Sequence, residues 1–300
     1  MEDVRGATAF ITGGAQGIGR GIARAFAGAG MRLALADVDA DALAEARAEL
    51  AEVTDVAVFE LDVRDRERYA EVADAAERSV GPVSVLVNNA GVGVGALQSI
   101  SAELSYATWD YVVGINLDGV NNGIQTFLPR MIERGGPGHV VNTSSAAGLA
   151  VFPERSSGYT YHASKFAVTG LSEALRRGLA DEGRPIGVSV LIPGMVGTKV
   201  GENSVRMLPA GVVSDRELAA MNELAEAGDA ALRTYGRDPD EVGAMVLAGV
   251  RADLLYLPTD RLAADVVVKR AEALVAAMPA EESRYDSALA DAMRERRAAR

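Results

Sequence analysis

Short runs of apolar residues alternate with longer amphipathic segments through the first two thirds of the chain. The apolar runs are continuous, which is typical of strands buried on both faces of a sheet. They predict strands at residues 7–12, 32–37, 56–61, 83–88, 139–143 and 187–192. The segments between them predict helices at residues 17–28, 41–52, 66–80, 108–134 and 159–181. Strict alternation of strand and helix predicts right-handed crossovers and a doubly wound, parallel α/β sheet of Rossmann type.

The pattern loosens after the sixth strand. Residues 199–237 are rich in Gly, Pro, Ser and charge with short helical stretches, and they are either a substrate lid or a plain surface excursion. Asp238-Pro239 then begins a predicted helix that reaches about residue 252. The whole chain, 1–300, is predicted to form a single domain. Its core is 5–198, and a closing helix–strand–helix follows at 238–278. That closing part has a strand at 254–257 and a helix over 260–278, before a charged, partly ordered tail at 279–300.

Charge and composition exclude several classes of function. The 300 residues carry a formal net charge of −12, which disfavours nucleic-acid and anionic-membrane partners. The chain has no cysteine and two histidines, so disulfides, thiolate catalysis and a histidine metal cluster are not expected, and we predict no metal site. The N-terminus lacks the pattern of a signal peptide, and no apolar run reaches the roughly 18 residues of a membrane span. We therefore expect a soluble cytoplasmic protein.

Tyr161 and Lys165 lie four residues apart in the fifth predicted helix, which places the phenol and the ammonium on one helix face. Lys165 is one of three lysines in the chain. A nearby ammonium favours the phenolate and lowers the pKa of a tyrosine from its ordinary value near 10 toward neutrality. Such a tyrosine can accept a proton from an alcohol. A surface Tyr–Lys pair is the alternative, and the motifs upstream decide against it.

A glycine-rich turn, Thr-Gly-Gly-Ala-Gln-Gly-Ile-Gly at residues 12–19, joins the first predicted strand to the first helix. Gly13, Gly17 and Gly19 permit a tight turn and let the backbone approach a pyrophosphate. The helix N-terminus supplies N–H donors and a positive dipole end. Such a turn alone is a weak signal, because many are only tight turns. Its position at the first strand–helix junction favours a dinucleotide site.

Carboxylates and amides follow the next three predicted strands. Asp37 ends the second strand, where a carboxylate bonds the adenosine ribose hydroxyls. It would repel a 2′-phosphate, and Val38 beside it offers no basic partner, so the sequence predicts NAD rather than NADP. Asp62, followed by Val63, either accepts a hydrogen bond from the adenine amino group or caps the third strand. The Asn-Asn-Ala-Gly sequence at residues 88–91 can tie neighbouring strand ends together.

Taken together and in this order, the motifs resemble the short-chain dehydrogenase/reductase family over residues 5–200. The resemblance is carried by the glycine turn, the Asn-Asn-Ala-Gly sequence and a further set of residues: Asn116, Ser144-Ser145, Tyr161, Lys165 and Pro193-Gly194. Each motif is weak alone, and jointly they are very specific. The family resemblance implies a Rossmann-type fold and hydride transfer with a nicotinamide cofactor.

The resemblance also implies a catalytic set. Tyr161 would be the general acid/base, Ser145 would hold the substrate oxygen, and Lys165 would lower the pKa of Tyr161 and bond the nicotinamide ribose. Ser145 is preferred to Ser144 because the family's serine is usually the second of such a pair. Asn116 would hold a water in a proton relay. As single residues, Ser145 could be a turn serine and Asn116 a locally satisfied helix residue.

The implied cofactor site extends over all the strand ends. Thr198 would bond the carboxamide beside the Val196 backbone, although a threonine there could also be a helix N-cap. The predicted cofactor-binding residues are Gly13, Gln16, Gly17, Ile18, Gly19, Asp37, Asp62, Val63, Asn89, Ala90, Gly91, Tyr161, Lys165, Pro193, Val196 and Thr198.

Two departures from the family pattern concern the substrate. The stretch from Ser145 to Tyr161 is a few residues longer than usual, with residues 152–158 inserted beside the site. The chain also continues past residue 258 into another helix and tail. That C-terminal region resembles the subgroup that includes bacterial Cα-dehydrogenases of lignin-type aryl ethers.

The sequence therefore predicts an NAD-dependent enzyme that interconverts a hydrophobic secondary alcohol, with aromatic alcohols included, and its ketone. The expected pocket wall is residues 92–97, residues 147–152, Met195 and the lid, which are mainly apolar. A homo-oligomer, dimer or tetramer, is implied by the family alone. An NAD-sensing regulator that does not catalyse is one alternative, but it would usually have lost the tyrosine or the lysine. A nucleotide-sugar epimerase-like enzyme is the other, and its glycine spacing differs.

Overall fold

The computed structural model describes residues 1–94, 100, 104–152, 158–281 and 283–298. The chain divides into two compact units, residues 1–263 and residues 264–300. The first unit holds the predicted sheet, the hydrophobic core clusters and every predicted site residue.

The strands of the described chain form one parallel sheet of seven, in the order β3-β2-β1-β4-β5-β6-β7. The predicted fold class is confirmed. Because β1 lies between β2 and β4, the chain crosses from one half of the sheet to the other there and opens a crevice at the carboxyl ends of the strands. The strands are β1 (Thr8–Thr12), β2 (Arg32–Asp37), β3 (Val56–Glu60), β4 (Val83–Asn88), β5 (Gly138–Thr143), β6 (Ile186–Ile192) and β7 (Tyr256–Pro258).

Helices cover both faces of the sheet. Asp39, Asp65 and Asp238 begin three of them, and each carboxylate accepts a hydrogen bond from a backbone N–H of the first helical turn. The α-helices in the described part of the first unit are α1 (Gly17–Gly28), α2 (Ala40–Leu50), α3 (Arg66–Val80), α4 (Tyr106–Val113), α5 (Gly119–Arg134), α6 (Tyr159–Asp181), α7 (Val200–Arg206), α8 (Asp215–Tyr235) and α9 (Pro239–Arg251).

Two apolar clusters fill the space between the sheet and its helices. On one face Phe26 of α1 packs in a cluster with Val246 of α9. A side chain on Gly21 or Gly243 would overlap the backbone of the opposing helix, so these glycines allow α1 and α9 to pack closely. On the other face the Phe10 and Phe127 rings lie 4.6 Å apart between centroids. The sheet is therefore buried on both faces, as its continuous apolar strands predicted.

The structure corrects several predicted boundaries. The helix predicted over residues 108–134 changes its hydrogen-bond register in a π-helical segment, Gly114–Asp118, between α4 and α5. The segment 199–237 contains the 21-residue helix α8 where only short helical stretches were expected. A capping box between Ser214 and Glu217 begins that helix. The last strand, β7, begins two residues later and ends one residue later than predicted.

The second unit consists of α10 (Ala264–Ala276) and α11 (Arg284–Ala298). The closing helix begins at Ala264 instead of residue 260, and much of the predicted partly ordered tail is helical. Within the described ranges, no helix has the length and apolar character needed to cross a membrane.

Candidate functional site

The first turns of α6 carry Tyr161 and Lys165 toward the carboxyl end of β5. Lys165 is 4% exposed, and its Nζ donates a 3.0 Å hydrogen bond to the carbonyl of Thr143, the last residue of β5. The same Nζ lies 5.8 Å from the centroid of the Tyr161 ring. Burial lowers the pKa of Lys165 to about 8, so the ammonium is the main form at neutral pH. The Tyr161 side chain is partly buried beside this held charge.

The two serines after β5 have different surroundings. Ser144 is buried, and its Oγ donates to the Lys165 carbonyl at 2.8 Å and contacts Thr169 Oγ1 at 2.8 Å. Ser145 is partly exposed, and its Oγ accepts a hydrogen bond from the Ala147 N–H at 3.1 Å. Ser144 therefore fastens β5 to α6, while the Ser145 hydroxyl retains a proton to donate. This difference supports the choice of Ser145 over Ser144 for the substrate oxygen.

Asn116 lies fully buried in the π-helical segment. Its side-chain amide accepts a hydrogen bond from Val92 N at 2.8 Å and donates one to Val92 O at 3.0 Å. Its Nδ2 also lies 3.2 Å from Ser164 Oγ, which donates to the Tyr161 carbonyl. The amide thus joins the segment after β4 to the helix that carries Tyr161. π-Helical turns are frequent at functional sites, and nothing in the apolar pattern signalled this one.

The glycine-rich turn is shaped by the segment that follows β4. Gly13 and Gly17 have positive φ angles of 61° and 50°, a conformation that other residues rarely adopt. A side chain on Gly19 would overlap the Gly13 carbonyl oxygen, so the turn can close only around glycine. Asn89 Nδ2 donates to the carbonyls of Thr12 and Gly13, both at 3.1 Å. The predicted role of Asn89 in tying strand ends together agrees with these bonds.

Other predicted cofactor residues surround the same crevice. A side chain on Gly91 would lie 3.2 Å from Asn116 Oδ1 and 3.3 Å from Lys165 Nζ, so Gly91 borders the candidate catalytic set. A side chain on Gly17 would lie 3.1 Å from the Thr198 methyl group. Ala90 N donates a hydrogen bond to Thr12 Oγ1, and the Pro193 carbonyl accepts one from Ala146 N. Val196 pairs with Arg237 in an isolated β-bridge. Ile18 packs against the core cluster that contains Phe26.

Asp37 lies at the end of β2, beside the glycine-rich turn. Its two carboxylate oxygens accept hydrogen bonds from Ala15 N and Asp39 N, both at 3.2 Å. Desolvation raises the pKa of Asp37, although the bonds from these backbone groups favour the ionised form. The carboxylate therefore stands where the sequence predicted a ribose-binding group.

Asp62 forms an ion pair with a neighbouring arginine, which was not predicted from the sequence. Arg64 Nη2 lies 2.6 Å from Asp62 Oδ2, and Arg64 N donates to Asp62 Oδ1 at 3.0 Å. Burial opposes the charge of Asp62, but the hydrogen bonds from Arg64 outweigh it and lower its pKa. Val63 is buried, and its carbonyl accepts a hydrogen bond from Asn122 Nδ2 at 2.9 Å. The carboxylate stabilises the strand end, and a role toward adenine stays a prediction.

A second missed feature joins the segment 199–237 to the glycine-rich turn. Asn203 Nδ2 of α7 donates to Gln16 Oε1 at 3.0 Å. Arg206 Nη2 of the same helix donates to Asp39 Oδ2 at 2.7 Å. Gln16 and Asn203 are 187 residues apart in the sequence. The apolar pattern within each segment therefore does not indicate that the two side chains meet.

The residues at the crevice fit a dinucleotide. The positions of Gly13, Gly17 and Gly19 leave the turn without side chains next to the N-terminus of α1, which favours a pyrophosphate. Asp37 supplies the carboxylate that ribose hydroxyls require, one strand away. Tyr161 and Lys165 stand on the other side of the crossover point, at the end of β5. The arrangement can bind a nicotinamide dinucleotide along the strand ends and present its reactive end to the phenol.

Comparisons with known proteins agree with this geometry. The family model described as short chain dehydrogenase matches residues 7–208, which confirms the resemblance predicted from the motifs. A C alpha-dehydrogenase of Sphingobium sp. is 35% identical over 258 residues, 86% of this chain and 81% of the relative. A 3beta-hydroxysteroid dehydrogenase 2 of Eggerthella lenta is 36% identical over 197 residues, 65% of this chain and 73% of the relative.

A solved structure matches along almost the whole chain. It is a short chain dehydrogenase/reductase from Burkholderia phymatum in complex with NAD, with a TM-score of 0.84 and 32% sequence identity. The match covers 94% of this chain and 99% of that chain. The cofactor in that structure is the dinucleotide that Asp37 predicted here.

Proposed function

Because the chain belongs to the short-chain dehydrogenase family, we propose that it is an NAD-dependent oxidoreductase that interconverts a hydrophobic secondary alcohol and its ketone. Tyr161 is the general acid/base, Ser145 and Lys165 assist it, and Asn116 positions the segment beside them. The observation that carries the proposal is the buried Lys165 ammonium, held at the Thr143 carbonyl and 5.8 Å from the centroid of the Tyr161 ring.

The proton chemistry follows from the burial of Lys165. A charge in a low-dielectric environment acts strongly on its neighbours, and the ammonium favours the phenolate form of Tyr161. The phenolate oxygen accepts the hydroxyl proton of the alcohol, and the phenol returns it to the ketone oxygen in the reverse direction. The Ser145 hydroxyl donates a hydrogen bond to the same substrate oxygen.

The cofactor is NAD, which supplies the hydride acceptor when it is bound. The turn at Gly13, Gly17 and Gly19 holds the pyrophosphate, Asp37 binds the adenosine ribose, and Lys165 reaches the nicotinamide ribose. Thr198 and the Val196 backbone bind the carboxamide. The carboxylate of Asp37 selects against NADP, because a 2′-phosphate beside it would be repelled.

The segments that border the site are joined to one another by apolar side chains. Val94 and Tyr111 form a small hydrophobic cluster with Val205 of α7 and Met221 of α8, so the lid is held to the site by apolar contacts. Residues 147–150 after Ser145 are small or apolar. Of the expected pocket wall, residues 95–97 lie outside the described residues, as do residues 153–157 of the long loop before Tyr161.

Two relatives support the substrate class through what their names state. One name refers to a 3beta-hydroxysteroid, which carries a secondary hydroxyl on an apolar ring system. Another relative, 36% identical over 197 residues, is named for L-2,3-butanediol, which is also a secondary alcohol. A secondary alcohol is therefore the first class of substrate to test, with aromatic members included.

The first experiment is a turnover assay of the purified protein with NAD and, separately, with NADP. The panel holds benzylic secondary alcohols, arylglycerol ethers, hydroxysteroids and terpenols, and reduced nicotinamide is followed by absorbance. Tyr161→Phe should reduce kcat by about two to four orders of magnitude, the typical contribution of a general acid/base. Tyr106→Phe is the matched control, because that side chain is 89% exposed.

Each other outcome is informative. Turnover with NADP in preference to NAD would contradict the role given to Asp37. An unchanged rate in Tyr161→Phe would contradict the assignment of the general acid/base. NAD binding without turnover of any alcohol would favour the non-catalytic regulator over the enzyme.

Formation of an oligomer through α5 and α6 and a cytoplasmic location remain parts of the proposal. Light scattering of the purified protein tests the oligomer.

A further inference from the structure

The corner of the crevice beside Asp37 contains a second carboxylate. Asp39 lies two residues further along, and its side chain is 14% exposed. Its Oδ1 accepts a hydrogen bond from Ala42 N and so caps α2, while its Oδ2 accepts one from Gln16 Nε2 at 3.0 Å. Bonds from the Ala42 N–H and from Arg206 lower the pKa of Asp39, so the group is ionised at neutral pH. Two negative charges therefore stand within three residues at the end of β2.

Arg206 from the lid is bound to this second carboxylate. Its Nη2 donates to Asp39 Oδ2 at 2.7 Å and lies 3.5 Å from Asn203 Oδ1. Asn203 in turn donates a hydrogen bond to Gln16. The residue before Gln16 is Ala15, and the Ala15 N–H donates to the Asp37 carboxylate. A chain of hydrogen bonds thus links the guanidinium to the loop that holds the Asp37 carboxylate.

A second arginine next to this loop is also paired with a carboxylate. Arg20 lies one turn into α1 from Gln16, and it donates to Glu49 Oε2 through Nε at 3.0 Å and through Nη2. Arg206 differs from Arg20 in that its side chain is 53% exposed and comes from a different element, the lid helix α7. Its guanidinium can turn toward a new anion if the Asp39 charge is removed.

We propose that the Asp39–Arg206 ion pair is a second determinant of cofactor selectivity, in which Asp39 holds Arg206 away from the position of a 2′-phosphate. The inference rests on the proposed function, since it concerns the dinucleotide bound there. A 2′-phosphate carries close to two negative charges at neutral pH and binds best to a free guanidinium. With Asp39 ionised, Arg206 is already paired and is not a free guanidinium for such a phosphate.

Substitutions can release the arginine without disturbing the fold. Asp39→Asn removes the charge and keeps an oxygen that can accept the Ala42 N–H, because asparagine is as good an N-cap as aspartate. Asp37→Ser removes the direct repulsion of a 2′-phosphate. Arg206→Met removes the guanidinium and retains an apolar stem. Arg216→Met is the matched control, since Arg216 is an exposed arginine of α8 in the same lid.

The measurement is the dissociation constant of NAD⁺ and of NADP⁺, by isothermal titration calorimetry without substrate. Asp37→Ser alone should bind NADP⁺ somewhat more tightly than the wild type. Adding Asp39→Asn should tighten NADP⁺ a further tenfold, and adding Arg206→Met to that double variant should reverse at least fivefold of the gain. In the wild type Arg206→Met should change NADP⁺ affinity less than twofold. Arg216→Met in the double variant should leave the gain intact.

A guanidinium–phosphate contact also predicts a dependence on salt. The tenfold gain should shrink as ionic strength rises, because exposed charges are screened. The inference is overturned if Asp39→Asn gives no gain beyond Asp37→Ser, or if Arg206→Met leaves that gain unchanged. It is also overturned if Arg206→Met weakens NADP⁺ in the wild type as much as in the double variant. A wild-type chain that binds neither dinucleotide would instead contradict the proposed function itself.

Discussion

The Lys165 ammonium nitrogen lies 5.8 Å from the centroid of the Tyr161 ring, one helical turn further along α6. The lysine is 4% exposed and its one hydrogen-bond acceptor in the described residues is the Thr143 carbonyl, an uncharged group. Burial without a carboxylate partner lowers the pKa of Lys165 to about 8. The protein thus keeps a costly buried charge beside the phenol, which is typical of a functional site.

This burial gives Lys165 a measurable effect on stability. Its pKa is about 8 in the folded protein and near 10.4 in an unfolded chain, so between these pH values the unfolded chain binds more protons. The free energy of unfolding should therefore rise with pH across this window, by about 3 kcal/mol at most. Denaturant unfolding of the wild type and of Lys165→Met at pH 7.5, 8.5 and 9.5 measures this contribution. It is the change with pH in the difference between the free energies of unfolding of the two proteins.

Lys269→Met provides the control, because Lys269 lies on an exposed surface of α10. It should follow the wild type at every pH. A difference between the wild type and Lys165→Met that stays constant with pH would contradict the burial of a titrating ammonium.

The next prediction separates the two serines after β5. Ser145→Ala should lower kcat by about two orders of magnitude with little change in stability, because its hydroxyl is free to donate to the substrate. Ser144→Ala should retain most of kcat and lose about 0.5–1.5 kcal/mol of stability, because it removes the hydrogen bonds of a buried hydroxyl while Thr169 Oγ1 still donates to the Lys165 carbonyl at 3.1 Å. Steady-state kinetics and urea unfolding of both variants test the pair.

The opposite result would reverse the assignment. If Ser144→Ala lost turnover while Ser145→Ala kept it at equal stability, the substrate oxygen would be held by the first serine. In that case the hydrogen bonds of Ser144 to α6 would have to break when substrate binds.

The sheet could be predicted from the sequence because its strands are buried on both faces. Continuous apolar runs such as those around Phe10 and Leu86 leave little choice of face or period. Tyr161, Lys165 and Asp37 could be placed at strand ends and helix starts by counting from those runs. The features that depend on local spacing were therefore predictable.

Contacts between distant segments could not be predicted in the same way. Arg206 and Asp39 are 167 residues apart in the sequence. Considered within its own segment, each of these charged side chains could equally well face solvent. The π-helical turn around Asn116 changes the hydrogen-bond register without changing the apolar composition, so periodicity does not detect it. The length of α8 was missed because its helix is 21 residues long but has only three buried positions.

The glycine-rich turn offers a comparison within one helix. In Gly19→Ala the added methyl would overlap the Gly13 carbonyl and lie 2.7 Å from Asn89 Nδ2, so the turn must open. We expect NAD affinity to fall at least tenfold and stability to fall by about 1–3 kcal/mol, the usual cost of forcing extra atoms into a packed site. Calorimetric titration with NAD⁺ and thermal unfolding measure the two effects.

Gly28→Ala is the control at the other end of α1, where an added methyl meets nothing within 4 Å. Because alanine favours helix over glycine, this variant should keep NAD affinity and gain a few tenths to about 1 kcal/mol of stability. Equal effects of the two substitutions would show that close packing at Gly19 does not set the shape of the turn.

Acid should destabilise the protein through His139, at the opposite end of β5 from the candidate site. The ring is fully buried, and its Nε2 lies 2.8 Å from Ser189 Oγ. Burial lowers the pKa of His139 to about 4. The Asp253 carboxylate, 3.9 Å from Nδ1, offsets this lowering only in part. Because an unfolded histidine titrates near 6.5, the free energy of unfolding should fall by about 3 kcal/mol as pH falls from 6.5 to 4. Urea unfolding of the wild type and His139→Asn should show a stability difference that narrows or reverses toward pH 4.5. A difference that does not change with pH would mean that His139 is not forced to remain neutral in the folded protein.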